Sequence, residues 1–170
     1  MIVVVMGVTG VGKTTIGRLV ADDFGWAFLD ADDFHPSANV AKMRSGVPLT
    51  DADREPWLRA LRAEIEARLA RGESAVLACS ALKQSYRDRL QAGDAVRFVH
   101  LQGDAALIRA RLLARSGHYM DPGLLASQFE ALEDPKGAIV VDIAAPPREI
   151  ASRIEAELGL RLPGRADLKD

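Results

Sequence analysis

Five short apolar or β-rich runs punctuate the chain, at Ile2 to Met6, Trp26 to Asp30, Ala75 to Cys79, Arg97 to Leu101 and Ala138 to Asp142. Each predicts a buried strand. The stretches between them carry helical spacing instead. Leu58, Leu61, Ile65 and Leu69 fall on one face of a helix whose remaining positions hold Arg59, Arg62, Glu66 and Arg68. Asp121-Pro122 predicts an N-cap with proline at the first helical position, and Pro146-Pro147 predicts the opening of the last helix. Strands alternating with helices imply right-handed crossovers and a five-stranded parallel sheet covered on both faces, a three-layer α/β/α fold. In such sheets ligands bind beyond the carboxyl ends of the strands, so chemistry is expected where the five runs end.

The first run leads straight into Gly7-Val8-Thr9-Gly10-Val11-Gly12-Lys13-Thr14, which fits the phosphate-loop pattern G-x-x-x-x-G-K-S/T and precedes a helix-like stretch. The glycines let the backbone turn tightly and aim successive N–H groups inward, where they join a helix N-terminus beginning near Lys13 in holding phosphate oxygens. Lys13 is expected to reach the outer phosphates. Thr14 offers a hydroxyl to Mg²⁺, a hard cation that prefers oxygen ligands. A purely structural glycine turn has no need of Lys followed by Thr. The chain also lacks an N-K-x-D guanine signature, which disfavours a GTPase.

Two connections are longer than a crossover requires. Asp30 to about Pro56 is expected to form an insertion over a second substrate, with 31–56 as its extent. Residues 109–121, around Arg109 to Met120, are expected to form a lid over the phosphates. The tail, 161–170, reads as loose, and the whole chain as one domain.

The second run ends in Asp30-Ala31-Asp32-Asp33-Phe34-His35-Pro36, which puts carboxylates at the ligand edge. If the chain is still extended there, Asp30 and Asp32 point to opposite sides, one for Mg²⁺ and the other for a substrate hydroxyl and its proton. The third run ends without an acidic residue, which favours Asp30 for the metal, and Asp33 reads as a helix cap. Lys83 follows the third run and is either a substrate contact or a solvated helix residue. His35 either donates to a polar substrate or packs in a turn. Cys79 reads as a small core residue. Arg111 and Arg115, four apart, share a helix face suited either to phosphate and adenine or to solvent.

With 170 residues, 48% of them hydrophobic and 27% charged, the chain has the make-up of one globular domain. A net charge of -2 argues against a nucleic-acid or membrane-surface binder. The single cysteine fits a reducing compartment, and no stretch approaches the length of a membrane span, which together predict a cytoplasmic protein.

Further blocks accompany the phosphate loop. They are Phe28 to Pro36, Lys42-Met43-Arg44-Ser45-Gly46-Val47-Pro48-Leu49-Thr50-Asp51-Ala52-Asp53-Arg54-Glu55-Pro56-Trp57-Leu58, Cys79-Ser80-Ala81-Leu82-Lys83-Gln84-Ser85-Tyr86-Arg87-Asp88, Arg115 to Met120 and Ser127 to Glu133. In these the chain resembles the gluconokinases, small phosphate-loop kinases related in architecture to shikimate and adenylate kinases. The resemblance covers residues 1 to 158. Departures are small: Ala31 stands where Gly is common and Tyr119 where Phe is common.

The resemblance implies ATP held on Gly10 to Thr15, with Arg111 near the adenine and Arg115 near the transferred phosphate. It implies a gluconate pocket of Asp32, His35, Arg44, Asp53, Arg54, Lys83 and His118. It also implies frequent homodimers, for which the residues themselves mark no interface. The expected reaction is transfer of the γ-phosphoryl group of Mg-ATP to the 6-hydroxyl of D-gluconate. A kinase for another polyhydroxy acid such as shikimate, or an ATP-binding regulatory module without turnover, remains open at this point.

Overall fold

The computed structural model of the protein describes residues 1–114 and 122–161. Its elements run in order β1 Ile2–Met6, α1 Lys13–Phe24, β2 Ala27–Asp30, a 3₁₀ turn Ala31–Phe34, α2 Ser37–Arg44, α3 Asp51–Ala70, β3 Ala75–Ala78, α4 Gln84–Leu90, β4 Val96–Gln102, α5 Ala105–Ala114, α6 Pro122–Ala131, β5 Ile139–Asp142 and α7 Pro147–Glu157. Every strand expected from the apolar runs is present, with ends displaced by at most one residue. The strands form one parallel sheet in the order β2-β3-β1-β4-β5.

β1 is central and wholly buried: all five residues are 0% exposed, and it pairs with β3 on one side and β4 on the other. Its side chains alternate between two cores. Val3 and Val5 face Ile16, Val20 and Ala21 of α1 and Ile150, Ala151 and Ile154 of α7. Ile2, Val4 and Met6 face Trp57, Leu58, Leu61 and Ile65 of α3 and Tyr86 and Leu90 of α4. Burying one such aliphatic side chain contributes about 1.5–3 kcal/mol, so this pattern leaves β1 little freedom of register.

The helix starts follow local chemistry. α3 opens with a capping box in which Asp53 N–H donates to Thr50 Oγ1 (3.2 Å) while Thr50 N–H donates to Asp53 Oδ2 (2.9 Å). Pro147 stands at the first position of α7, where its missing N–H costs nothing. The predicted face of α3 is the buried one, with Leu69 only partly covered at its end.

Where α1 meets α7 the packing includes an acidic pair. Glu155 is buried, its Oε1 has no partner among the described residues, and its carboxyl hydrogen-bonds Asp23, which itself pairs with Arg148. Burial first, and then the Asp23 carboxylate, push the Glu155 pKa up to about 7 from an ordinary 4.5, so the pair shares a proton at mildly acidic pH. An acid whose folded pKa is raised adds stability fully below its unfolded pKa and loses it as pH rises through the folded value. The stability of the protein is therefore expected to fall between pH 4.5 and about 7 through this group. Glu155→Gln should flatten that segment of a denaturation-versus-pH curve and leave the variant more stable than the parent above it. An unaltered slope would show that the pair does not share a proton.

Candidate active site

A cavity of about 790 Å³ opens at the carboxyl edge of the sheet. Its lining includes the loop after β1, the ends of β2 and β3, the α2–α3 connection, the β3–α4 turn and α6.

The loop after β1 forms one wall. Gly12 caps α1 at φ 101° and lets the helix begin at Lys13. Gly10 has φ 81°, and a Cβ there would lie 2.7–2.9 Å from the Leu112 side chain of α5, so only glycine fits beneath that helix. Lys13 Nζ donates to the carbonyls of Gly7 (3.1 Å) and Val8 (3.0 Å), two of its three donors. Burial lowers its pKa, and Cys79, Asp32 and Asp30 act against that shift. Gln128 Oε1 of α6 accepts from Thr9 N–H at 2.6 Å, and both residues line the cavity.

The end of β2 meets this loop directly. Thr14 Oγ1 donates to Asp30 Oδ2 at 3.4 Å, and Asp32 N–H donates to Asp30 Oδ1 at 3.2 Å. Asp30 thus caps the 3₁₀ turn, which corrects the expectation that Asp33 would be the cap. The same turn means the chain is no longer extended at Asp32. Asp32 reaches the cavity because the backbone curls, not because side chains alternate. Asp32 as a residue is exposed, yet surrounding protein disfavours its charge, and desolvation followed by the Asp30 carboxylate raises its pKa. A hydroxyl and a carboxylate side by side form an oxygen donor set that suits Mg²⁺. Among the described residues no group of three or more His, Cys, Asp or Glu side chains gathers as a metal site, here or elsewhere.

The opposite wall is built by the insertion and the β3–α4 turn. Trp57 is buried and donates its indole N–H to Ala31 O at 2.7 Å. His35 stacks on it, ring centroids 4.6 Å apart at 10°. Burial lowers the His35 pKa, which keeps the ring neutral near pH 7. Asn39 Nδ2 donates to Asp53 O (2.7 Å) and faces His35 Nδ1 (3.4 Å), so the ring proton sits on Nε2. Arg54, Lys83 and Tyr86 complete this wall.

The turn carrying Lys83 is held from behind. Ala81 has φ 42°, unusual for a residue with a Cβ, and is fully buried. Arg87, 3% exposed, fixes that turn by donating to the carbonyls of Ala81 (3.0 Å), Leu82 (2.9 Å), Glu133 (3.1 Å) and Asp134 (3.0 Å). Glu133 N–H in turn donates to Leu82 O at 2.9 Å. Cys79 lies in the core as expected, its thiol pushed up to about 12 by burial and therefore no nucleophile.

Of the residues singled out in the sequence, the cavity brings together Thr9, Gly10, Gly12 to Thr15, Asp30, Asp32, His35, Arg54 and Lys83. It does not bring in six others: Gly7, Val8 and Val11 of the loop itself, and Asp53, Arg44 and Arg111. Asp53 is taken up by the capping box and by Lys42 (2.7 Å), partners that pull its pKa down to about 2, so its carboxylate serves the insertion rather than the cavity wall. Arg44 ends α2 on an exposed surface. Arg111 donates to Ile143 O at 2.8 Å, just past the edge strand β5, and is not in the cavity lining. Arg115 and His118 lie outside the described residues. Sequence reasoning assigned no role to Asp51, Trp57, Tyr86, Arg87 or Gln128, although all five sit inside the blocks quoted for the resemblance.

The chain is similar to known proteins over most of its length. A family model described as an AAA domain matches residues 2–135. A probable gluconokinase of Xenopus tropicalis is 41% identical over 181 residues, covering 95% of this chain and 95% of its own. The thermoresistant gluconokinase of Escherichia coli K12 is 43% identical over 160 residues, 91% of each chain. Among solved structures, a gluconokinase from Sinorhizobium meliloti 1021 superposes with a TM-score of 0.79 at 42% identity, covering 92% of this chain and 94% of that one. On this similarity over nearly its whole length, together with the phosphate loop, the chain belongs to the gluconokinase family of phosphate-loop kinases.

Proposed function

We propose that the protein transfers the γ-phosphoryl group of Mg-ATP to the 6-hydroxyl of D-gluconate, giving 6-phospho-D-gluconate and ADP. The observation that carries this reading is the two-sided cavity. Phosphate-binding groups form one wall, and Arg54, Lys83 and the neutral His35 form the other. A regulatory module that only held ATP would have no use for the second wall. The named activity of the relatives supports gluconate over shikimate as the acid.

In this reading the loop N–H groups from Gly10 to Thr15 and Lys13 hold the phosphates, and Arg111 lies toward the adenine. Thr14 and Asp30 would hold Mg²⁺, which neutralises charge on the phosphates when bound. Asp32 orients the acceptor hydroxyl and takes its proton, a task helped by its raised pKa, since a more basic carboxylate accepts a proton more readily. His35 Nε2–H donates to a sugar hydroxyl. Arg54 and Lys83 face the substrate carboxylate, with Arg44 and Asp53 supporting the insertion around them. We assign 31–56 to the acceptor insertion and 109–121, with Arg115 and His118, to a lid that excludes water and neutralises the moving phosphoryl group. The chain acts as one domain, and the free buried Cys79 suits work in the cytoplasm.

ADP release coupled to a panel of D-gluconate, shikimate, other sugar acids and no acceptor tests the reading. Turnover is expected with gluconate alone. Release favouring another acid would overturn the substrate, and release independent of any acid would overturn the kinase.

Lys13→Ala should lower kcat by about a hundredfold or more while leaving the melting temperature close to the parent's, as expected for losing a charge that stabilises the transferring group. Near-parental turnover would remove Lys13 from the chemistry. Asp32→Asn should reduce kcat by about 10²–10⁴-fold with ATP affinity within about twofold. A change confined to ATP affinity would move Asp32 to the nucleotide side.

A further inference from the structure

The acceptor wall holds a carboxylate that has no place in the reaction just described. Asp51 stands in the first turn of α3, and its side chain reaches across to the β3–α4 turn. Both of its oxygens accept from Lys83 Nζ at 2.9 Å, Oδ1 also accepts from the Tyr86 hydroxyl, and Arg54 Nη1 is 3.9 Å away. Lys83, Arg54 and Tyr86 all line the cavity, and Asp51 does not. It therefore touches all three from outside the space a substrate would fill.

The two cations are gathered by a single ring as well. Lys83 Nζ and the Arg54 guanidinium lie 5.5 Å and 5.8 Å from the centre of Tyr86. Left to themselves they would present two positive charges. The Tyr86 hydroxyl and Lys83 hold the Asp51 carboxyl below its ordinary range, so it is ionised whenever the enzyme works, and one positive charge remains in excess. Other charges nearby are offset among themselves: behind the turn, Arg87 faces the carboxylates of Glu133, Asp88 and Asp134. Lys42 is neutralised by Asp53, His35 is uncharged, and Asp30 and Asp32 sit with Lys13 at the phosphoryl end.

We propose that Asp51 is a specificity-determining residue that trims the acceptor subsite to a net charge of one, matching it to a substrate end bearing a single negative charge. This rests on the assignment of Arg54 and Lys83 to the substrate carboxylate. A dianionic end group, such as a phosphate, gains no second partner there and meets the Asp51 carboxylate behind the donors, a repulsive element of the kind that selects between ligands of similar shape. Two of the Lys83 donors are occupied by Asp51, so the carboxylate is bound directly to the cation it offsets. Asp51 is 65% exposed, so solvent moderates its field, and the selectivity it gives is expected to be about tenfold rather than absolute.

The test uses two analogues of gluconate in which the carboxyl group is replaced by a sulfonate or by a phosphonate. They share a tetrahedral shape but carry one charge and, at about pH 8.5, two charges respectively. Dissociation constants are measured by calorimetry on the full chain. The parent should bind the sulfonate more tightly. Asp51→Asn, which keeps an oxygen acceptor for Lys83 and Tyr86, should shift the ratio toward the phosphonate by about tenfold, whereas Asp51→Glu should keep the parental ratio. Asp51→Ser, well suited to a first helical turn, gives the same reading if the Asn variant folds poorly. A parent with no preference between the analogues, or a ratio unmoved in the uncharged variants while both affinities drop together, would overturn the assignment. ADP release with gluconate is read in parallel. Its absence alongside the expected ratio shift would strike the proposed reaction and leave the charge assignment standing, while normal release with an unmoved ratio would strike the charge assignment alone.

Discussion

β1 has a paired strand on each side and a hydrophobic core on each face, and nothing of it is exposed. Its five residues fix where the chain leaves the sheet, and the phosphate loop is what leaves it. Because β3 pairs with β1 in parallel, the end of β3 comes out beside that loop, and Gly7 N–H donates to Ser80 O at 3.3 Å across the gap. β2 pairs with β3 in the same sense and delivers Asp30 within reach of Thr14. The site is thus a consequence of one buried strand and the parallel order around it.

That frame solves an electrostatic difficulty. A chain with a net charge of -2 has to bring two anions, a triphosphate and a sugar acid, into contact. In the proposed assignment it does so by local arrangement, with backbone N–H groups and Lys13 at one end and Arg54 and Lys83 at the other. α6 ties the ends together. Gln128 takes an N–H of the phosphate loop, while Glu133 and Asp134 just beyond the helix receive Arg87, which holds the turn that presents Lys83. A shift of α6 is therefore felt at both walls.

Much of this was legible in the sequence. The positions of β1 and β3 followed from runs of apolar residues, because a parallel strand buried on both faces has no polar positions to blur its ends. The phosphate loop was legible because its glycines, Lys13 and Thr14 are a local pattern whose geometry depends on few distant contacts. Roles that depend on distant partners were less visible. Asp53 is different: Thr50 three residues before it marks a capping box that the sequence did show, and the resemblance drew it to the substrate instead. Asp30 became the cap because the chain curls one residue after β2, which an alternation argument does not anticipate. Asp51, Arg87 and Gln128 act across separations of 32 to 119 residues, and no periodicity announces such pairs.

Whether the two walls serve one phosphoryl transfer is read from the position of the new phosphate. With γ-labelled ATP and D-gluconate, the account predicts that the label ends in an organic phosphate whose phosphorus couples to carbon 6 of the acid in an NMR spectrum. Label recovered on another carbon would contradict the placement of the acid between Asp32 and the Arg54–Lys83 pair, and label recovered only as inorganic phosphate would contradict the acceptor wall itself.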